Sequence, residues 1–388
     1  MSTQVNDFFG KFHIGTYYFQ KNARTESGVK DLSECGIDLV FCFDNDRETL
    51  DLFEKYGISA VVAGIVPGWF GGHGENAGTM SQTNKRAAYI DGINAFVDHP
   101  AIVGIDAGDE PSSVDFPYYG QMIALMKELA PSKFPYLNIY PSYGMLASND
   151  EAQTEKELGV PSYKDYVDAY GKNVDLPYLS FDHYVFTSAK ERLFSDLETT
   201  ASYCKENGKK LYVVLQVNSL KEEEYISEEQ LAFQAYSAMA YGASAVSWAC
   251  YSAGWWHHNV LDGDGNKTVQ YEKLKNTNAR LRSLSKEYIN YQWASTERIN
   301  GADTEYGAFK SVSSANDVLV GKFDGEGGRT ALFVSGVDYE NPSNTLSFKA
   351  NGRVTLYKPE STEVLSPDSN GIYTVSFTNK EACFITAE

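Results

Sequence analysis

The sequence predicts an α/β chain: a (β/α)8 TIM barrel followed by a small C-terminal antiparallel β-sandwich domain. Three observations carry this prediction. Eight near-continuous apolar runs recur through the barrel region, helix-length patterns separate them, and beyond about Tyr306 the rhythm changes to short alternating strands. Strands that are apolar on both faces and alternate with helices pair in parallel under two covering layers. Eight such units match a closed barrel. An open doubly wound sheet would carry a Gly-rich first turn, and "GTYYFQKN" after the first strand lacks one.

The strands, in order, are "FHIGTYYF" (Phe12–Phe19), "IDLVFCF" (Ile37–Phe43), "ISAVVAGIVPG" (Ile58–Gly68) and "AIVGIDAGDEPSS" (Ala101–Ser113). "YLNIYPSYG" (Tyr136–Gly144), "YLSFDHYVF" (Tyr178–Phe186), "LYVVLQVNS" (Leu211–Ser219) and "SAVSWACYS" (Ser244–Ser252) complete the set. Helix patterns lie between them. "SGVKDLSECG" and "DRETLDLFEKYG" end on the C-cap glycines Gly36 and Gly57. After Tyr306, "NDVLVGKF", "TALFVSGV", "NTLSFKA", "RVTLYKP", "IYTVSFT" and "ACFITAE" alternate apolar with polar, and Gly, Asn, Pro and Asp fill the turns. The expected domains are residues 1–300 for the barrel and 301–388 for the sandwich.

Composition narrows the function classes. Of the 388 residues 43% are hydrophobic, enough for sizeable cores, and the formal net charge is −19. An acidic chain without a Lys/Arg run repels phosphate backbones, so nucleic acid is not an expected partner. No apolar stretch reaches the roughly 18 residues of a membrane span, so no membrane association is expected. The N-terminus lacks the basic start and apolar run of an export signal, and the expected location is cytoplasmic, or secreted if a signal was removed. The five scattered cysteines, with no CxxC, suit buried free thiols.

Barrel active sites form at the C-terminal ends of the strands. That rule makes candidates of Tyr17, Asp44, Trp69, His73, Asp109, Glu110, Asn138, Tyr140, Tyr143, Asp182, His183, Tyr184, Gln216 and Trp248. The loop after the eighth strand adds Trp255 and Trp256, whose rings suit stacking on the C–H face of a sugar. No cofactor is implied, since no P-loop, GxSxG or GxGxxG stands in a supporting context. No metal is expected either. His257 and His258 are adjacent without HxH or HExxH spacing, and "DGDGNKTVQYEK" has Lys267 and Lys273 where a calcium loop needs Gly and Glu.

The "GDEP" at the end of the fourth strand is similar to the Asn-Glu-Pro acid/base motif of the large clan of (β/α)8 glycoside hydrolases, with Asp109 in place of Asn. The segment "NVLDGDGNKTVQYEKLKNTNARLRSL" resembles the clan's pattern after strand eight, and the order barrel then sandwich is shared. The resemblance implies a glycoside hydrolase acting on a terminal sugar of an oligosaccharide or glycoside, with Glu110 as general acid/base. It also implies a nucleophilic Glu at the end of strand seven, where this sequence has Gln216, and an amide is no nucleophile.

Three explanations stand open. The Asp109–Glu110 pair resembles the Asp-Glu pair of family-20 and family-123 β-N-acetylhexosaminidases, in which the substrate's own 2-acetamido group attacks while Asp orients it. Alternatively, Asp182 serves as the second carboxylate on a non-acetamido sugar. Or Gln216 replaces a natural Glu. A non-catalytic carbohydrate-binding barrel is the reading from another class. Tyr17, Trp69, Asn138, Tyr140, His183, Tyr184, Gln216, Trp248, Trp255 and Trp256 are the expected sugar contacts.

Overall fold

The computed structural model describes residues 3–70, 74–145, 151–187, 189–252 and 256–388. Eight parallel strands close into a barrel: β1 (His13–Tyr17), β2 (Leu39–Phe43), β3 (Ser59–Val62), β4 (Ile102–Asp109), β5 (Phe134–Ile139), β6 (Tyr178–His183), β7 (Lys210–Gln216) and β8 (Ala243–Ala249). Every strand overlaps the apolar run that predicts it. Neighbours follow chain order, and β8 closes on β1 through His13↔Ala245 and Thr16↔Trp248. β5, β6 and β8 are buried at every position, as parallel strands covered on both faces must be.

The helices form where the amphipathic pattern and its punctuation agree. The helix Arg47–Tyr56 buries Thr49, Leu50 and Phe53 on one face and ends at Gly57 with φ 70, a left-handed cap.

Contacts divide the chain into two compact units, Met1–Glu222 with Ala245–Thr268, and Glu223–Ser244 with Val269–Glu388. The second holds two helices and ten strands. The helix Glu228–Ala240 starts on a capping box between Ser227 and Gln230. Tyr288, at the end of the helix Val269–Tyr288, donates its hydroxyl to the Met239 and Ala243 carbonyls at 3.0 and 2.9 Å.

Among the ten strands, β9 (Tyr291–Ile299), β10 (Thr304–Tyr306), β11 (Phe309–Ser314), β12 (Val318–Gly325) and β13 (Thr330–Gly336) come first. β14 (Ser343–Ala350), β15 (Val354–Lys358), β16 (Ser361–Val364), β17 (Tyr373–Thr378) and β18 (Ala382–Ala387) follow. They make a four-stranded sheet in the order β10-β11-β14-β17 and a six-stranded sheet in the order β16-β15-β18-β13-β12-β9. Phe309, Val320, Leu332, Val334, Leu346, Phe348, Val375 and Ile385 belong to one buried apolar core. The six sandwich strands expected from alternation are β12–β15, β17 and β18. β9, β10, β11 and β16 carry no such signal: β16 is exposed at all four positions, and β9 is buried only at its two ends.

No helix among the described residues is long and apolar enough to cross a membrane. All five cysteines are free thiols; four are buried and Cys42 is half-buried.

Candidate active site

The C-terminal end of β4 is where the barrel departs from regular geometry. Asp106 pairs with Tyr136 of β5, then the register slips, so that Gly108 faces Leu137 and Asp109 faces Asn138. Simple alternation would set Asp106 and Asp109 on opposite faces; the bulge lets both accompany inward-facing β5 partners. Gly108 makes the bulge possible. Its φ is 138°, and a Cβ there would lie 2.3 Å from the Trp69 carbonyl and 2.4 Å from the Tyr119 hydroxyl. Asp106 braces the turn by accepting Gly108 N–H at 2.9 Å and the Cys42 thiol at 2.9 Å. Glu110 follows with φ 48, in the left-handed region, and its N–H donates to the Asn138 carbonyl at 3.0 Å. A non-glycine residue held there stores strain, a feature that gathers at functional sites.

Three carboxyls converge. Asn138, on β5, donates its amide N–H groups to Asp109 at 3.0 Å and to Asp182, on β6, at 2.9 Å. Its own oxygen accepts the Ser180 hydroxyl at 2.9 Å. Ser180 has one proton and has given it to Asn138, so Tyr136, 3.0 Å away, donates to Ser180. Tyr17, 2.6 Å from the Tyr136 hydroxyl, donates to Tyr136 in turn. The hydrogen-bond chain thus runs in one direction, from Tyr17 to the carboxylates.

The Asp182 carboxyl beside Glu110 favours the protonated Glu110 and the ionised Asp182. Burial pushes the Glu110 carboxyl well above the usual range; the charges of Asp182 and Asp109 add to it, and the buried Glu157 contributes a further negative charge. Burial raises Asp182 and Asp109 as well, Asp182 also through the Asp109 charge, while the Asn138 donor works against both rises. Carboxyls this close do not all ionise together, and the charges around Glu110 favour the proton there.

These groups line an open cleft of about 330 Å³. Tyr17, Asp109, Glu110, Asn138, Tyr143, Asp182, Tyr184 and Trp256, all expected from the sequence, stand on its wall, together with Gly144, Met145 and Val214. Tyr184 and Trp256 meet edge to face at 4.8 Å and form an aromatic corner. Tyr143 donates or accepts at a fixed position, its hydroxyl taking the Tyr184 N–H at 2.8 Å.

The remaining expected contacts are placed differently. His183 is fully buried and turned from the cleft, as the residue after an inward Asp182 must be on a strand; its Nδ1 lies 2.9 Å from Asp196. Gln216 is committed to backbone: its oxygen accepts Phe186 N–H at 3.1 Å and its amide donates to the Asn218 carbonyl at 2.8 Å. Val214 represents β7 on the cleft wall instead. Tyr140 and Trp248 are fully buried. Trp69 acts through its carbonyl, which accepts Asp109 N–H at 2.9 Å and the Tyr119 hydroxyl at 3.1 Å. Trp255 and His73 lie outside the described residues.

Sequence reading missed several supporting groups. Ser180 and Tyr136 each lie two residues before a site residue on the same strand, which is a usable signal for a shared face. Glu157 has no such signal. It sits on the helix Glu151–Leu158, and only the folded chain brings its carboxylate to the Met145 N–H at 2.9 Å.

Comparison with solved structures follows the same architecture. A glycoside hydrolase aligns over 97% of this chain and 92% of its own, with a TM-score of 0.59 at 10% identity. A glycoside hydrolase family 5 structure from Bacteroides vulgatus aligns over 97% and 89%, with a TM-score of 0.52 at 9% identity. No protein-family model matches the chain, and no curated protein does. The chain therefore shares the fold of solved glycoside hydrolases over nearly its whole length, at an identity where fold is what the likeness conveys.

Proposed function

We propose that this chain is a glycoside hydrolase that removes a terminal sugar from an oligosaccharide or glycoconjugate, with Glu110 as general acid/base. The observation that carries the reading is the Glu110 carboxyl standing with the Asp109 and Asp182 carboxyls in one open cleft, where burial and their charges raise it well above the usual range. Glycosidic cleavage needs a carboxylic acid that keeps its proton near neutral pH and gives it to the leaving oxygen. Burial and two neighbouring acids supply that property here.

On this reading Asp109 takes the substrate-assisting role of the Asp in the Asp-Glu pair that it resembles, and its position on the cleft wall supports this. Held by Asn138, it orients the 2-acetamido group of the sugar through its N–H. The acetamido oxygen attacks the anomeric carbon as the bond to the leaving oxygen breaks, and Glu110 transfers its proton to that oxygen. Glu110, now ionised, takes a proton from the water that opens the cyclic intermediate. This route needs no enzyme nucleophile, which agrees with a Gln216 committed to backbone.

A second reading makes Asp182 the second carboxylate on a non-acetamido sugar. Its direct contact with Glu110 favours it. However, retaining enzymes hold the two carboxyls about 5–5.5 Å apart and inverting ones about 6.5–9.5 Å. The separation of the Glu110 and Asp182 carboxyls with a sugar bound would therefore decide whether this route retains or inverts.

Aryl glycosides, with and without a 2-acetamido group, test the proposal. Turnover that falls at least about 1,000-fold in Glu110→Gln, with sugar binding retained by calorimetry, is the expected result. Binding without turnover in the native chain would make it a carbohydrate-binding barrel. Turnover of plain hexosides but no acetamido sugar would leave Asp182 as the second carboxylate.

A further inference from the structure

We infer that the cleft takes terminal sugars without negative charge and turns away sugars that carry a carboxylate at C6. This rests on the glycosidase reading above and adds the charge class of its substrate.

Asp109, Glu110 and Asp182 face the cleft. Behind them stand Asp106, 3% exposed, whose carboxyl feels the Asp109 charge, and Glu157, 2% exposed, whose charge is felt at Glu110. No Lys, Arg or His is found among the described residues that line the cleft, and the undescribed stretches 71–73, 146–150 and 253–255 contain no Lys or Arg. Of the two imidazoles next in sequence to cleft residues, His183 is held against Asp196, and neither it nor His257 is on the cleft wall. Arg24, seven residues beyond β1, is paired with Asp44 at 2.5 Å.

A sugar carboxylate leaving water needs a cation or several donors to offset its desolvation. In this cleft it meets the Asp109 and Asp182 carboxyls with no cation beside them among the described lining. Two like charges about 6 Å apart, at an effective dielectric of about 20, repel enough to lower binding about 100-fold. A hydroxymethyl or acetamido group meets the same carboxylates favourably, because its O–H or N–H donates to them. The walls agree with an uncharged ligand: Tyr184 and Trp256 offer aromatic faces to sugar C–H groups.

The test first finds the configuration that is turned over, using aryl gluco-, galacto- and mannosides and their 2-acetamido forms. In that configuration the 6-hydroxymethyl, 6-carboxylate and 6-carboxamide sugars are then compared at pH 7. The carboxylate should show kcat/KM about 100-fold below the hydroxymethyl sugar. The carboxamide, equal in size and uncharged, should recover most of the loss. A carboxylate turned over as well as the hydroxymethyl sugar overturns the inference and leaves the glycosidase reading intact. A carboxamide as poor as the carboxylate also overturns it, since size and not charge would then be the cause. If no configuration is turned over, the glycosidase reading fails and the inference falls with it.

Discussion

Glu110 combines two costs that a purely structural residue has no reason to bear: a backbone at φ 48 and a carboxyl raised by burial and by Asp182 and Asp109. A left-handed non-glycine residue costs about 1–3 kcal/mol. The raised carboxyl favours the folded state only while it is protonated, so that contribution is present at low pH and is lost as pH rises. Glu110→Gln should therefore raise the melting temperature more at pH 8 than at pH 5 while abolishing turnover. Equal shifts at the two pH values would argue against a raised carboxyl. Asp106 allows a sharper version. It is 3% exposed, and burial pushes its carboxyl up to about 7. In the unfolded chain an aspartate titrates near pH 4, so its contribution is complete below about pH 4 and is lost as pH rises through about 7. Asp106→Asn should remove about 2–4 kcal/mol of pH dependence across that window. Urea unfolding of both proteins at pH 4, 5.5 and 8 measures it, and parallel curves would show that the carboxyl is not raised.

Elements set which residues meet. The bulge in β4 brings Asp109 to Asn138, and Gly108 is the residue that permits it. In Gly108→Ala the new Cβ meets backbone and a buried hydroxyl, and the φ is one that L side chains rarely adopt. A loss of about 2–4 kcal/mol is expected by denaturant titration, together with a fall in activity. A stable, fully active variant would show that the bulge does not position the site. In the sandwich, Phe348 stacks on Tyr373 at 5.2 Å in the buried core. Phe348→Ala should cost about 3–5 kcal/mol in the same titration. Legibility also follows the elements. β7 and β6 are buried along nearly their whole length, and a strand like that declares itself by an unbroken apolar run. β16 buries nothing and β9 mixes half-buried with exposed positions, so neither leaves a period to read. The bulge was illegible because nothing in "GIDAGDEP" separates a register slip from an ordinary glycine in a strand.

At the scale of the molecule, charge governs association. With a net charge of −19 and a pI of about 4.8, the chain should pass through a heparin or DNA column in dilute salt and reach its solubility minimum near pH 5. Retention that salt releases would point to a local basic surface outweighing the net charge. The long-range contacts of the barrel explain what sequence reading reached at the site. Asp109, Glu110, Asn138, Asp182 and Tyr184 follow from strand order and the rule that strand ends face the site. His183, Gln216 and Trp248 satisfy the same rule, yet they point elsewhere or bond to backbone. A strand-end position locates a Cα and leaves the direction of its side chain to the neighbours.

By itself the sequence determined the eight-strand barrel, the sandwich after it and a carboxyl pair at the end of β4. Burial writes apolar periodicity into the chain, and short-range order is enough to read it. Tertiary structure alone decided that Glu110 keeps a proton against Asp182, that Asn138 bridges two carboxylates and that Gln216 serves the backbone. Each of these depends on groups 2 to 72 residues apart in the chain and on a cleft that exists only once all eight strands have closed.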